Sequence, residues 1–172
     1  MALIKDRKLT ADSWQLLEGV VEGAPLEVPA SGDVIVPLGA WLLSRERLIA
    51  REGRLGVWLS GADEPGEIAA DLDRFAVIAV QFASFTDGRG YSIGRLLRER
   101  YAFRGELRAI GDIQRDQIFY LMRCGFDAFV LRAGEDVAAA LAAFDDFSEP
   151  YQASVERPLP LFRRRDVTAP VR

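Results

Sequence analysis

Within SFTDGRGYS (Ser84 to Ser92), Asp87, Arg89, Tyr91 and Ser92 follow one another at intervals of one or two residues, separated by Gly88 and Gly90. That composition can hold a small anion. The glycines let the backbone reach positive φ or approach a ligand, and Ser92 can cap a following helix whose first N–H groups lack partners. Arg89 adds a forked donor that fits two oxygens of a carboxylate, phosphate or sulfur oxyanion. Asp87 and Tyr91 would orient these groups. A second segment, GDIQRDQ, offers Asp112 as a cap and places Arg115, Asp116 and Gln117 just after another strand pattern. The plainer reading is that DGRG is a turn, Ser92 and Asp112 are ordinary caps, and Arg115 with Asp116 is a solvated helix face. No residue stands out as catalytic; acid–base work here would fall to the carboxylates or Tyr91. GRGYSIG has neither the glycine spacing of a dinucleotide fingerprint nor the lysine of a phosphate loop.

Composition removes more chemistry than the motifs add. The chain has 172 residues, no histidine and one cysteine, Cys124. Serine–histidine and cysteine–histidine catalysis are excluded within the chain, as is an iron–sulfur cluster held by its own cysteines. No metal ligand set and no cofactor-binding motif is legible, and the cofactor is left unknown. Cys124, beside Gly125 on an apolar helix flank, reads as a small core residue. A net charge of −4 from 22 basic and 26 acidic residues argues against nucleic acid or an anionic membrane as partner. MALIKDRKLTADSW lacks a secretory core and no apolar run approaches a spanning length, so the expected location is the cytoplasm.

The elements that would position these residues form a repeat. Apolar runs at Val34–Leu38, Leu55–Leu59, Phe75–Phe82, Glu106–Ile110 and Asp127–Leu131 read as strands, each followed by a helical pattern. Trp41, Leu42, Leu48 and Ile49 mark the buried face of the first helix. Ile68 and Leu72 mark a short second one, and Ile93, Leu96, Leu97 and Tyr101 the third. Ile118, Leu121 and Met122, then Val137, Leu141 and Phe144, mark the last two. Alternation of this kind implies one α/β domain with a mostly parallel five-stranded sheet and helices on its faces. An open sheet is favoured, with a partial β/α barrel as the alternative. Residues 1–33 form an N-terminal hairpin turning near Asp6 and Arg7 plus a Gly/Pro-rich link, 34–144 the β/α core, and 145–172 an extended tail with prolines at 150, 158, 160 and 170. SFTDGRGY is longer than a strand-to-helix connection needs, and it leaves the carboxyl end of a strand, where ligands of parallel sheets bind. The tail segment PLPLFRRR either lies on its own domain or offers a docking strip to a partner.

FTDGRGYSIGRLLRERYAFRGELRAIGDIQRDQIFYLMRCGFDAF, with VIVPLGAWL before it and FSEPYQ and PLFRRR after it, resembles a family of small bacterial proteins of undetermined function across nearly the whole chain. Members are described as candidate oxidoreductases or accessory proteins of sulfite reduction, because they tend to be encoded beside sulfite reductase. The resemblance carries no agreed catalytic residues. It implies an accessory protein of assimilatory sulfite reduction whose partner is sulfite reductase or its electron-supply components. The alternative from the residues themselves is a small-anion-binding protein, or a cofactor-independent enzyme, using the 84–92 and 112–117 loops.

Overall fold

The computed structural model describes residues 2–19 and 26–165. The five expected strands are present, as β4 (Val34–Pro37), β5 (Leu55–Leu59), β6 (Val77–Phe82), β7 (Glu106–Gly111) and β8 (Ala128–Leu131). Three more come from the N-terminus: β1 (Ala2–Lys5), β2 (Lys8–Thr10) and β3 (Gln15–Leu16). Together they make one eight-stranded sheet in the order β2-β1-β8-β7-β6-β5-β4-β3, curled into a half-barrel. The expected count of five strands is corrected to eight; the sheet is mostly parallel as expected, and its curl matches the partial-barrel alternative. Neighbours from β3 to β8 run parallel, and β1 pairs antiparallel with both β2 and β8.

Strand order decides where the helices go. Parallel neighbours taken in sequence, each joined by a right-handed crossover, place every connection on the same side of the sheet. Val36, Val57, Ile78, Val80, Leu107 and Phe129 accordingly share the large core with helix residues Trp41, Ile93, Leu97 and Leu121. The alternate residues Ile35, Val77, Ala79 and Ile110 face the other way and pack with Trp14, Trp58 and Val130. Helices thus cover the convex face and not both, and the N-terminal segment covers the concave one.

The helices are α1 (Leu38–Ile49), α2 (Arg89–Glu99), α3 (Ile118–Arg123), α4 (Val137–Ala142) and α5 (Leu161–Arg165). A 3-10 segment, Pro65–Arg74, replaces the helix expected around Ile68 and Leu72; it buries Asp71, which pairs with Arg45 and Arg74. A non-helical Ser44 interrupts α1; Trp41 and Leu48 are buried, while Leu42 and Ile49, expected beside them, lie one helical step of about 100° away and are exposed. Leu96 of α2 is likewise exposed. Cys124 is buried as expected. The tail is not extended throughout, since it contains the short helix α5. The link at 20–25 and the tail beyond Arg165, including Pro170, lie outside the described residues. Among the described residues, no helix is long and apolar enough to cross a membrane.

Of the described residues in 1–33, only β1 and β2 form the N-terminal hairpin. Asp6 and Arg7, both at positive φ (49° and 61°), reverse the chain in the sense that suits a two-residue hairpin. After Thr10 the chain crosses the concave face and pairs with the opposite edge of the sheet. Four residues, 11–14, connect edge strand β2 to edge strand β3. Such a link reaches at most about 18 Å, whereas the edges of a flat eight-stranded sheet would stand roughly 33 Å apart. The sheet must therefore curl. Trp58 Nε1 donates to the Leu17 carbonyl (2.9 Å), and Arg54 lies over the Trp14 ring at 4.8 Å.

Beneath the crossing lies a charged cluster. Arg108 Nε donates to Glu106 (2.7 Å) and Nη1 to Asp12 (2.8 Å), while Lys5 Nζ reaches the other Glu106 oxygen at 2.8 Å. The side chains of Arg108 and Glu106 are 3% and 7% exposed. Two cations face two carboxylates, which leaves no net charge to bury. Glu106→Ala should lower the unfolding free energy by about 3 kcal/mol, because it strands Arg108 and Lys5. Asp12→Ala, at the wetter end, should lower it by about 1 kcal/mol. Urea unfolding followed by tryptophan fluorescence measures both; a negligible loss in Glu106→Ala would remove the cluster from the list of what holds the sheet closed.

Candidate functional site

β6 and β7 are hydrogen-bonded neighbours with Phe82 opposite Gly111, so the two rim segments singled out by composition emerge side by side at the carboxyl end of the sheet. Gly111 makes the junction. Its φ is +100°, and a Cβ there would stand 2.3 Å from the Phe82 carbonyl oxygen. With no side chain in the way, the Asp112 N–H donates to that oxygen (2.9 Å). One Asp112 carboxylate oxygen then accepts from the Phe85 N–H (3.2 Å), and the other from Arg132 Nη1 (3.2 Å). Asp112 thus ties the two loops together; the helix-capping role that its place at the head of DIQRDQ suggested is corrected. The cap is Gln114, whose N–H donates to Gln117 Oε1 (2.9 Å) in a reciprocal capping box.

Asp87 and Arg89 form a closed pair. Arg89 Nε and Nη2 donate to the two Asp87 oxygens at 2.9 and 2.8 Å, and the Arg89 N–H adds a third bond at 3.2 Å. The fork expected to receive an external anion therefore holds the protein's own carboxylate, and the pair rests against Gly61 of the loop after β5. Hydrogen bonding from Arg89 takes the Asp87 carboxyl down to about 2. Ser92 is exposed and sits inside α2, which starts after Gly88 with no side-chain cap; its expected capping role is corrected. Gly90 fits because a Cβ there would meet the Phe82 ring at 2.6 Å, so α2 begins pressed onto β6.

Tyr91 turns inward. Its ring meets Phe82 and Tyr120 edge-on at 5.1 and 5.0 Å, and its hydroxyl accepts from Gln117 Nε2 (3.2 Å). Burial pushes its phenol above the ordinary value, so it keeps its proton at neutral pH. Arg115 points outward, giving Nη1 and Nη2 to Asp146 at 2.7 and 2.5 Å. Asp116 is exposed beside Tyr120.

The two loops thus touch through Asp112 with Phe85 and through Gln117 with Tyr91, while Arg89 and Arg115 diverge to separate carboxylates. Sequence reasoning missed Arg132, Glu135 and Asp146. Arg132 bridges Asp112 and Glu135 (2.7 Å to the latter), so the three arginines of this rim each carry a carboxylate. The signal was present in RAGED and FDDF but sat one or two strands downstream. Among the described residues, no group of three or more histidine, cysteine, aspartate or glutamate side chains is placed to hold a metal ion.

The tail supplies a second surface. The Val155 N–H donates to the Arg123 carbonyl (3.1 Å) and Ser154 is buried, which fastens the middle of the tail to the end of α3. Glu149 pairs with Arg157 (3.3 Å) and Arg164 (2.9 Å), folding the tail back on itself. The fold brings the Tyr151 and Phe162 rings to 6.1 Å, with the Arg163 guanidinium 6.0 Å from Phe162. Tyr151, Leu159 and Phe162 nevertheless remain 67%, 51% and 51% exposed.

A family model described as bacterial protein of unknown function (DUF934) matches residues 56–162, and the chain belongs to that family. The match runs from β5 into α5, so it takes in both rim segments and the tail. No curated protein matches the sequence.

Asp87 has a depressed pKa, so whatever its pairing contributes to stability is fully present above the ordinary carboxylate value and fades as pH falls toward about 2. NMR titration of the Asp87 carboxyl carbon should give a midpoint near 2, returning to the usual carboxylate range in Arg89→Gln. A normal midpoint in the unmodified protein would show the pair to be open in solution.

Proposed function

We propose that this member of a bacterial family of unknown function is a partner-binding accessory protein that docks through the strip formed by Tyr151, Leu159, Phe162 and Arg163. One observation carries the reading: three large apolar side chains half or more exposed, gathered with a guanidinium on one folded-back segment. Aromatic residues and arginine are enriched at the centres of protein interfaces, and a monomer seldom leaves such a cluster in water without use. The partner assigned is sulfite reductase or a component that supplies it with electrons, on the strength of the family likeness in FTDGRGYSIGRLLRER and the sequence around it. With no histidine and a single buried cysteine, the chain supplies no histidine or thiolate ligand set for a redox metal centre. The accessory role is the one its residues fit.

The test has two arms. Deleting the gene should slow growth on sulfate as sole sulfur source, and the tagged chain should co-purify a reductase component. Tyr151→Ser with Phe162→Ser should reduce that co-purification by roughly 30-fold, the effect of losing about 2 kcal/mol from an interface centre. Normal growth together with no reductase component in the eluate would defeat the proposal.

A second reading, a small-anion site at the start of α2, is favoured by the uncapped helix start and by Arg89 being 63% exposed. There an incoming oxyanion would exchange with Asp87 on the guanidinium. Asp87→Asn removes the competing charge and should raise sulfite or sulfate affinity about tenfold in calorimetric titration, while Arg89→Ala abolishes it. Equal heats from all three proteins would dispose of this site.

A further inference from the structure

We infer that the groove between α3 and the segment 144–157 binds an aromatic monocarboxylate, its ring against Phe119 and Phe147 and its carboxylate on Arg123. Two adjoining cavities, about 280 and 260 Å³, share Phe119, Arg123, Phe147 and Pro150 in their walls. A lined cavity of about 150 Å³ is enough for benzene, so either side has room for one substituted ring. Phe119 and Phe147 stand 5.0 Å apart between their ring centres, and Phe147 is 64% exposed, so the aromatic wall of the groove has an open side. Met122 and Phe144 extend the apolar floor of the larger cavity. Aromatic rings prefer such tilted and edge-on neighbours.

The charge pattern of the groove selects the polar group. Arg7 is paired with Asp145 and Arg157 with Glu149, which neutralises both. Arg123 is different. Its Nη2 donates to the carbonyls of Gln152 (3.0 Å) and Ala153 (3.4 Å), it has no carboxylate partner among the described residues, and its buried Nε has no acceptor. A guanidinium offers five N–H donors, and those of Arg123 meet only backbone carbonyls, so a ligand carboxylate in the groove would supply the charged partner that its Nη groups lack. Glu156 borders the larger cavity and is exposed without an ion-pair partner among the described residues. Asp116, also without an ion-pair partner among the described residues, borders the smaller cavity, so the two carboxylates disfavour any negative charge beyond the single one that Arg123 can hold. This site is separate from the Tyr151–Phe162 strip, and neither depends on the other.

Titration of the full chain with phenylacetate, followed by amide chemical shifts, should give saturable changes centred on residues 119–123 and 147–156. Phenethylamine, with the same ring and the opposite charge, should give none. Arg123→Gln should weaken phenylacetate binding at least tenfold. Phe147→Ala, an exposed position that leaves Arg123 in place, should weaken it several-fold even if Arg123→Gln loosens the tail. No saturable shifts with phenylacetate, equal binding of the amine, or undiminished affinity in Phe147→Ala would overturn the assignment.

Discussion

Four residues of chain between two edge strands govern the shape of this molecule. Residues 11–14 must carry the backbone from β2 to β3, strands that lie at opposite ends of one sheet. A short tether between the ends of a sheet is incompatible with a flat sheet, so the half-barrel curl and the covered concave face follow from chain length. The same segment protects both edges. β2 and β3 are only three and two residues long, which leaves little unpaired backbone to template pairing with another chain.

Charge holds that closure where apolar contact is thin. The concave core is small, four buried residues with Trp14, Trp58 and Val130 against them, and the convex core holds most of the remaining apolar burial. Asp12 reaches Arg108 across the crossing, and Arg108 shares Glu106 with Lys5 of β1, so one network joins the crossing segment, a central strand and the hairpin. It lies at the amino end of β7, away from the rim. In sheets of this kind that end serves stability and the carboxyl end serves ligands.

The rim has the residue types of an anion site but engages them internally. Arg89, Arg115 and Arg132 are each satisfied by carboxylates from their own or a neighbouring loop, which welds the loops after β6, β7 and β8 into one layer. The groove beside the tail is built the other way. Its apolar walls are formed by residues far apart in the chain, and the guanidinium between them, Arg123, has no carboxylate among the described residues, unlike Arg7 and Arg157 of the same groove.

The sequence by itself determined the five parallel strands and their crossovers, because apolar periodicity and turn residues are local properties. It also placed Cys124 in the core. Tertiary structure alone decided that β1 joins β8, a pairing across more than a hundred residues, and that β3 joins β4 once the chain has crossed the concave face, since neither pairing leaves a local trace in LIK or QL. It decided too that Arg89 faces Asp87, that Asp112 bridges to Phe85 and Arg132, and that Leu42 and Ile49 lie outside a kinked α1. A charged side chain takes whichever partner the packed backbone brings within about 3 Å, and that choice does not exist until the sheet has curled.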